Sequence, residues 1–247
     1  MKIVNIHKII TKILVKEVVM EIIFEYEGKG NLEVNSVAVI GSFNNFDHTK
    51  GNMVREGSKW VLKCDLLEGE HYYKFLINNE LKLNDSSANI YLPDDNEELW
   101  SVVIINDKNQ RMYNNNQYTV HVDSYNVTCN INEEQKSANK KNFNVLLDKK
   151  VVTRLGFTNV TGLHSITTAW FTPKGELFQV VENNLFATKD NEKDPILMWF
   201  WMELNDSHKN NCGIWTIKLF IDGEFVLEDQ IKLLENTSYT AQGKMNY

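Results

Sequence analysis

The chain has 247 residues, of which 43% are hydrophobic and 24% charged, values typical of an ordinary globular protein. This length accommodates one large domain or two small ones. The formal net charge of -7 argues against broad electrostatic binding to nucleic acid or to an anionic membrane, and no run of about 18 apolar residues is present to form a transmembrane helix.

The first 19 residues form an N-terminal extension with two open interpretations. Its isoleucines fall near helical spacing between lysines, which favours a short basic amphipathic helix. The residues Lys16 to Met20 are also those that a purine-rich bacterial ribosome-binding site and the start codon after it would encode if they were translated in frame. In that case Met20 is the natural start and residues 1–19 are a start-site artefact. Abundant peptides from residues 3–15 in mass spectra of the native protein would contradict the artefact.

From Met20 onwards the sequence predicts short β-strands. In the segment Trp60 to Leu66 the residues that share one face are Trp60, Leu62, Cys64 and Leu66. In the strand after the Glu68-Gly69-Glu70 turn, alternation places Tyr73 and Phe75 opposite Lys74. Short strands at this spacing predict an antiparallel sandwich, whose strands are Glu21 to Glu27, Val37 to Gly41, Trp60 to Leu66, His71 to Ile77 and Leu99 to Ile105.

The polar, Asn-rich stretch that follows predicts a linker, and the second half is again rich in strands. The strand signals are Tyr118 to Val122, His164 to Phe171, Leu177 to Val181, Ile196 to Leu204 and Gly213 to Ile221. Asp222-Gly223 between two apolar runs is a strong hairpin signal. The acidic pairs Asp94-Asp95 and Glu97-Glu98 are interpreted as a solvated loop.

Tryptophan is concentrated in the second half of the chain, at Trp170, Trp199, Trp201 and Trp215. Trp215 shares the apolar face of its strand, which predicts a core position. Ile196 to Leu204 is apolar on both faces, with Trp199 and Trp201 on one of them. Such a strand is either central and covered or exposes an aromatic patch. The patch would serve as an inter-domain contact, a homodimer contact or a ligand-binding platform.

The cysteines and histidines give no signal for a metal or redox site. Cys64, Cys129 and Cys212 are far apart and form no CxxC pair. Buried, unpaired thiols suit a reducing compartment, so we expect a cytoplasmic protein. The six histidines are scattered without ligand spacing, and no metal ion or cofactor is expected. The Asn-, Lys- and Ile-rich composition suggests a low-GC bacterium.

Two strings of the first half form a distinctive pattern. Val39 to Phe46 contains G-S-F-N-N-F, and Leu66 to Asn79 contains L-L-E-G-E-H-Y-Y-K-F. Over roughly Glu21 to Asn106 this pattern resembles the glycogen-binding module of the AMP-activated protein kinase β subunit, and more widely family-48 carbohydrate-binding modules. The resemblance implies a β-sandwich of the early-set immunoglobulin type.

The resemblance also implies a sugar-binding platform, in which aromatic rings stack on sugar faces and Lys or Asn side chains bond the hydroxyls. Phe46 matches the aromatic position after the Asn-Asn pair, and Lys74 matches the lysine of the Tyr-Lys-Phe strand. The second aromatic position falls near Leu81, which cannot stack in the same way. The family's asparagine falls near Ser101, and the neighbouring Trp100 would compensate if it faced outward.

The fold class expected from these observations is all-β, with two Ig-like (early-set) β-sandwich domains in tandem. The expected organisation is an extension at residues 1–19, a glycogen-binding-like sandwich at 20–106, a linker at 107–117 and a second sandwich at 118–247. No family-48 module is itself catalytic, and residues 118–247 are too few for the catalytic barrel found beside such modules.

The leading functional hypothesis is a non-catalytic α-glucan-binding protein whose partner is a glycogen- or starch-like polysaccharide or oligosaccharide. The alternative is a protein–protein adaptor that kept the sandwich and lost sugar binding, with contacts carried by the Trp-rich second domain. An enzyme is not expected, because the sequence contains no nucleophile–base pair that can be defended.

Overall fold

The computed structural model describes residues 18–116, 118–131, 139–187 and 195–235. Most of the N-terminal extension therefore lies outside the described residues. In the described ranges the chain forms β-strands joined by turns, with short 3-10 turns at Ser42–Asn44, His48–Lys50 and Asp206–Asn211. The prediction of an all-β chain that forms two sandwiches is confirmed. No helix in these ranges has the length and apolar character needed to cross a bilayer.

The first sandwich packs a three-stranded sheet, ordered β1-β4-β3, against a second sheet ordered β2-β5-β8-β7, in which β6 also pairs with β5. All these pairings are antiparallel. The strands are β1 Met20–Glu27, β2 Val37–Gly41, β3 Val54–Glu56, β4 Lys59–Leu66, β5 Gly69–Ile77, β6 Leu81–Leu83, β7 Tyr91–Pro93 and β8 Leu99–Ile105.

The second sandwich packs a five-stranded sheet, ordered β10-β16-β15-β12-β13, against a three-stranded sheet ordered β14-β11-β9. The β10–β16 pair is parallel, and the other pairs are antiparallel. The strands are β9 Thr119–Thr128, β10 Asn142–Asn144, β11 Lys150–Thr161, β12 Leu163–Phe171, β13 Leu177–Phe186, β14 Ile196–Glu203, β15 Gly213–Ile221 and β16 Glu224–Leu234.

Each sandwich has its own apolar core, and the predicted alternation is confirmed in both. Tyr73 and Phe75 lie in the first core, with Trp60 packed against it. Trp170 and Trp215 are fully buried in the second core. Burial of such large side chains is the main source of stability in each sandwich.

The strand predicted at Ile196 to Leu204 lies at a sheet edge rather than in the centre. Its apolar character on both faces has two separate causes. Phe200 and Met202 face the second core, whereas Trp201 points outward and is 41% exposed. The segment is therefore an edge strand that exposes Trp201, rather than a central and covered strand.

The three cysteines are free thiols. Cys64 and Cys129 are partly buried, but Cys212 is exposed, so the prediction that all three are buried is wrong. Cys212 follows directly after the Asp206–Asn211 turn, where the chain runs over the surface before β15 begins.

The two sandwiches are docked against each other through a third apolar cluster. Ile77, Leu81 and Leu83 of the first sandwich pack against residues on the outer face of the five-stranded sheet, which are Ala169, Phe171 and Phe220. This contact covers one face of the second sandwich. The outer face of the β9–β11–β14 sheet is consequently turned away from the first sandwich.

The predicted Asp222-Gly223 hairpin connects β15 and β16 and also forms part of this contact. Asp222 and Gly223 both have left-handed backbone conformations, with φ of 51° and 81°. A Cβ atom added at Gly223 would lie 1.8 Å from the backbone oxygen of Asn84. Asn84 in turn donates through Nδ2 to Ser165 Oγ at 3.1 Å. Glycine is therefore required both by the turn and by the approach of the first sandwich.

His164 is held beside the same hairpin. Its Nδ1 lies 2.6 Å from Asp222 Oδ2, and its Nε2 lies 3.0 Å from the backbone oxygen of Thr161. Both ring nitrogens therefore face acceptors, an arrangement that favours the doubly protonated ring. Burial lowers the pKa of His164, but the hydrogen bond and charge of Asp222 outweigh burial, so the pKa lies above its ordinary value of 6.5.

We predict that Gly223→Ala destabilises the protein, because alanine adds left-handed backbone strain and a steric clash with Asn84. Gly57→Ala is the matched control, since Gly57 also has a positive φ of 65° but no atom within 4 Å of its added Cβ. Strain alone costs about 1–2 kcal/mol, and Gly223→Ala should cost clearly more. Urea denaturation measures both variants, and equal losses of stability would contradict the close approach to Asn84.

We predict that the stabilisation provided by His164 is largest at low pH. A pKa that is higher in the folded than in the unfolded state stabilises the fold below the unfolded value, and this contribution is lost as the pH rises through the folded value. The difference in unfolding free energy between wild type and His164→Gln should therefore shrink from pH 6 upwards. His48→Gln, at an exposed histidine, is the control, and a difference that grows with pH would refute the assignment.

Candidate functional site

The loop from Gly41 to Phe46 divides its side chains between the core and the surface. Phe43 stacks on Phe24 with ring centroids 5.6 Å apart and packs against the first core. Asn44 is buried and clamps the loop, accepting from the Gly41 N–H at 3.0 Å and donating to the Val39 carbonyl at 2.8 Å. The first part of the G-S-F-N-N-F string is therefore structural.

The end of this loop presents Phe46 to solvent. Asn45 and Phe46 both have left-handed conformations, with φ of 56° and 57°. Asparagine tolerates this region, but it is rare for phenylalanine and is a mark of functional loops. Phe46 is 49% exposed, and its ring makes a T-shaped contact with the Trp100 ring at 5.3 Å between centroids.

Trp100 lies beneath Phe46 and is only 6% exposed. Its Nε1 donates to Asp94 Oδ2 at 3.1 Å. Desolvation raises the pKa of Asp94, but hydrogen bonds from Asn96, Glu98 and Trp100 together outweigh it, so the pKa lies below its ordinary value. The ionised carboxylate therefore fixes both the indole ring and the turn between β7 and β8.

Lys74 is placed between the two sandwiches and is buried, with 1% of its side chain exposed. Its Nζ lies 5.1 Å from the centroid of the Trp100 ring. The same atom is 2.8 Å from a carboxylate oxygen of Glu98 and 2.8 Å from one of Glu182. Glu182 belongs to the second sandwich and also accepts from Thr167 Oγ1 at 3.1 Å.

Beside Lys74 an open cleft of about 1060 Å³ separates the turn after β7 from strand β13. Its volume is at the upper end of the range for small-molecule sites. Its walls present an exposed aromatic ring, carboxylates, an amine and amides. The residues of the lining include Lys82, Pro93, Asn96, Glu98, Glu182, Asn184 and Phe186. Such a lining offers hydrogen-bond donors and acceptors beside one stacking surface.

Leu81 and Ser101, the other positions expected at the platform, are buried. Leu81 is 2% exposed and packs in the apolar cluster between the sandwiches. Ser101 is fully buried and is bonded to Asn84 and Asp85. Because neighbouring residues of a strand face opposite sides, Ser101 points away from the face that carries Trp100.

Residues 20–111 match the family model described as the glycogen recognition site of AMP-activated protein kinase. The match confirms the resemblance noted for roughly Glu21 to Asn106. It covers the first sandwich and less than half of the 247-residue chain. Phe46, Trp100 and Lys74 all lie within it. No curated protein matches the sequence significantly.

Two solved structures have low similarity to the chain. One is an immunoglobulin-like protein from Pseudomonas aeruginosa, 18% identical, with a TM-score of 0.34, covering 47% of this chain and 97% of that chain. The other is the alkylpurine DNA glycosylase AlkC of Pseudomonas fluorescens bound to DNA, 13% identical, with a TM-score of 0.32, covering 46% of this chain and 30% of that chain. Similarity at this level supports no conclusion about function.

Sequence reasoning missed the acidic side chains around Lys74. Glu98 and Asp94 were interpreted as part of a solvated loop, but they hold Lys74 and Trp100. The sequence feature that could have identified them is their position between two strands of the glycogen-binding-like module. Glu182 carried no such signal, because it lies 108 positions along the chain from Lys74.

We predict that Lys74→Met destabilises the protein by about 1–3 kcal/mol, because it leaves two partly buried carboxylates without their shared cation. Lys59→Met is the matched control, since Lys59 pairs with Glu25 at 2.9 Å on the surface, where both side chains are about half exposed. Such pairs contribute about 0–1 kcal/mol. Urea denaturation of both variants tests this, and equal losses would show that the buried ammonium has no special role.

Proposed function

We propose that the protein is a non-catalytic α-glucan-binding protein. The observation that carries this proposal is Phe46, an exposed ring in strained backbone that sits on Trp100 inside the region matching the glycogen-recognition family. A glucan presents flat apolar sugar faces, which stack on aromatic rings. Phe46 supplies such a ring at the surface, and the Trp100 ring supports it from below.

The cleft beside Lys74 supplies the polar part of the proposed site. Sugar hydroxyls donate to carboxylates and accept from amides, and Glu98, Asn96 and Asn184 line the cleft. Phe186 is 58% exposed in the same lining and offers a second stacking surface. This second ring comes from the second sandwich rather than from the position of Leu81.

Lys74 has an indirect role in this proposal. Its ammonium is already bonded to Glu98 and Glu182 and is closed off from solvent. A sugar hydroxyl reaches it only if one of the two carboxylates moves aside. We therefore assign Lys74 to positioning these carboxylates at the base of the cleft, with Phe46 as the stacking residue and Trp100 as its support.

We predict that the wild-type protein is retarded during electrophoresis through gels containing glycogen or amylopectin, compared with gels without polysaccharide. Phe46→Ala should abolish this retardation, because it removes the exposed stacking ring. Tyr113→Ala is the matched control, since Tyr113 is another exposed ring, at 59%, and lies outside the site. Phe186→Ala should give partial loss.

Wild-type mobility that polysaccharide leaves unchanged would contradict α-glucan binding. Retardation that persists in Phe46→Ala would place the sugar site elsewhere and contradict the assigned residues. Near-UV circular dichroism of each variant is the control for retention of the fold. Because Phe46 is exposed, we expect Phe46→Ala to fold normally.

A second candidate function is a protein–protein adaptor without sugar binding. The observation that favours it is the burial of Lys74 and Leu81, two positions that the resemblance assigns to sugar contact, by the docked second sandwich. An adaptor predicts no retardation by any glucan together with a co-purifying partner. A strict monomer without a partner in size-exclusion chromatography with light scattering would weigh against it.

A further inference from the structure

The second sandwich presents a separate aromatic surface on the outer side of the β9–β11–β14 sheet. Phe200 and Met202 of β14 face the core, so Trp199 and Trp201 face outward. We use the name tryptophan face for the outward residues Leu197, Trp199 and Trp201 of β14 and Arg154 and Gly156 of β11. This face lies on the opposite side of the second sandwich from the contact with the first.

Arg154 lies in the middle of the tryptophan face. It is directly paired with Trp199 on one side and with Asn126 on the other. Its guanidinium makes no hydrogen bond or ion pair with any described residue, and its Nε is buried without an acceptor. The neighbouring Lys150 differs, since it pairs with Glu203 at 3.2 Å while lying 5.4 Å from the Trp201 ring centroid.

Gly156 leaves a position without a side chain two residues along β11 from Arg154, on the tryptophan face. Gly156 is paired with Leu197 and Ser124, and a Cβ there would come within 2.4 Å of Ser124 Oγ. The two tryptophans are two residues apart on one strand, so their Cα atoms are separated by about 7 Å. Arg154 is directly paired with Trp199, so the two tryptophans and the guanidinium are neighbours on this face.

We propose that the tryptophan face binds a saccharide that carries a carboxylate, such as a uronate or sialate residue. The indole rings match the apolar faces of pyranose rings. The guanidinium forms two parallel hydrogen bonds with a carboxylate, and it stacks on an aromatic ring at the same time. Charge complementarity decides the class, because a neutral apolar occupant would cover the Arg154 guanidinium without offering it an acceptor.

This surface is distinct from the proposed α-glucan site in position and in ligand charge. The glucan site uses Phe46 and the cleft beside Lys74, whereas the tryptophan face lies beyond the five-stranded sheet. Loss of one activity should therefore leave the other intact, and the two proposals fail independently.

The test is binding of the full chain to an array printed with neutral oligosaccharides, their uronate- and sialate-containing counterparts, and carboxylate-bearing peptides. We expect signal on the carboxylated saccharides above their neutral counterparts. Arg154→Gln and Trp201→Ala should each lower that signal at least ten-fold. Arg55→Gln and Ile214→Ala are the matched controls, because they remove an exposed arginine and an exposed apolar side chain outside the face.

Phe46→Ala should leave the carboxylated-saccharide signal unchanged. Arg154→Lys should retain more of that signal than Arg154→Gln but less than wild type, because lysine keeps the charge but loses the planar fork. The inference is overturned if no carboxylated saccharide is bound. It is also overturned if binding survives Arg154→Gln, or if only carboxylate-bearing peptides are captured, which would assign the face to a protein partner.

Discussion

The buried ammonium of Lys74 is the interaction on which the arrangement of the site depends. An ammonium that is removed from water requires acceptors in place of its hydration shell. Glu98 supplies one from the first sandwich and Glu182 supplies the other from the second. The apolar cluster around Leu81 and Leu83 is a further contact between the same two sandwiches. The relative position of the two sandwiches and the ion pairing at the site are thus set together.

Several positions that the family resemblance assigns to sugar contact are closed off in this fold. Positions near Leu81 and Ser101 are enclosed, and Lys74 is neutralised by carboxylates. Phe46 stays exposed because the loop that carries it is held from within, by Asn44 and by Phe43 in the core. Our proposal of α-glucan binding therefore relies on the loop and on the cleft that the second sandwich completes.

The second sandwich uses its two outer faces differently. The five-stranded sheet presents Ala169, Phe171 and Phe220 to the first sandwich, apolar residues suited to permanent contact. The three-stranded sheet presents indole rings and a guanidinium without a partner among the described residues. A cation that the fold leaves without an acceptor is the physical reason for assigning this second face to an acidic ligand.

Local patterns in the sequence were sufficient for much of the fold. Alternation identified the core sides of β4 and β5, and Asp222-Gly223 identified its hairpin, because both signals depend only on neighbouring residues. The G-S-F-N-N-F loop was likewise recognisable. Only the tertiary structure decided that β14 is an edge strand, that Lys74 is buried and that Leu81 is enclosed. These outcomes depend on which faces of the two sandwiches meet, and residues as far apart as Lys74 and Glu182 leave no local pattern for that contact.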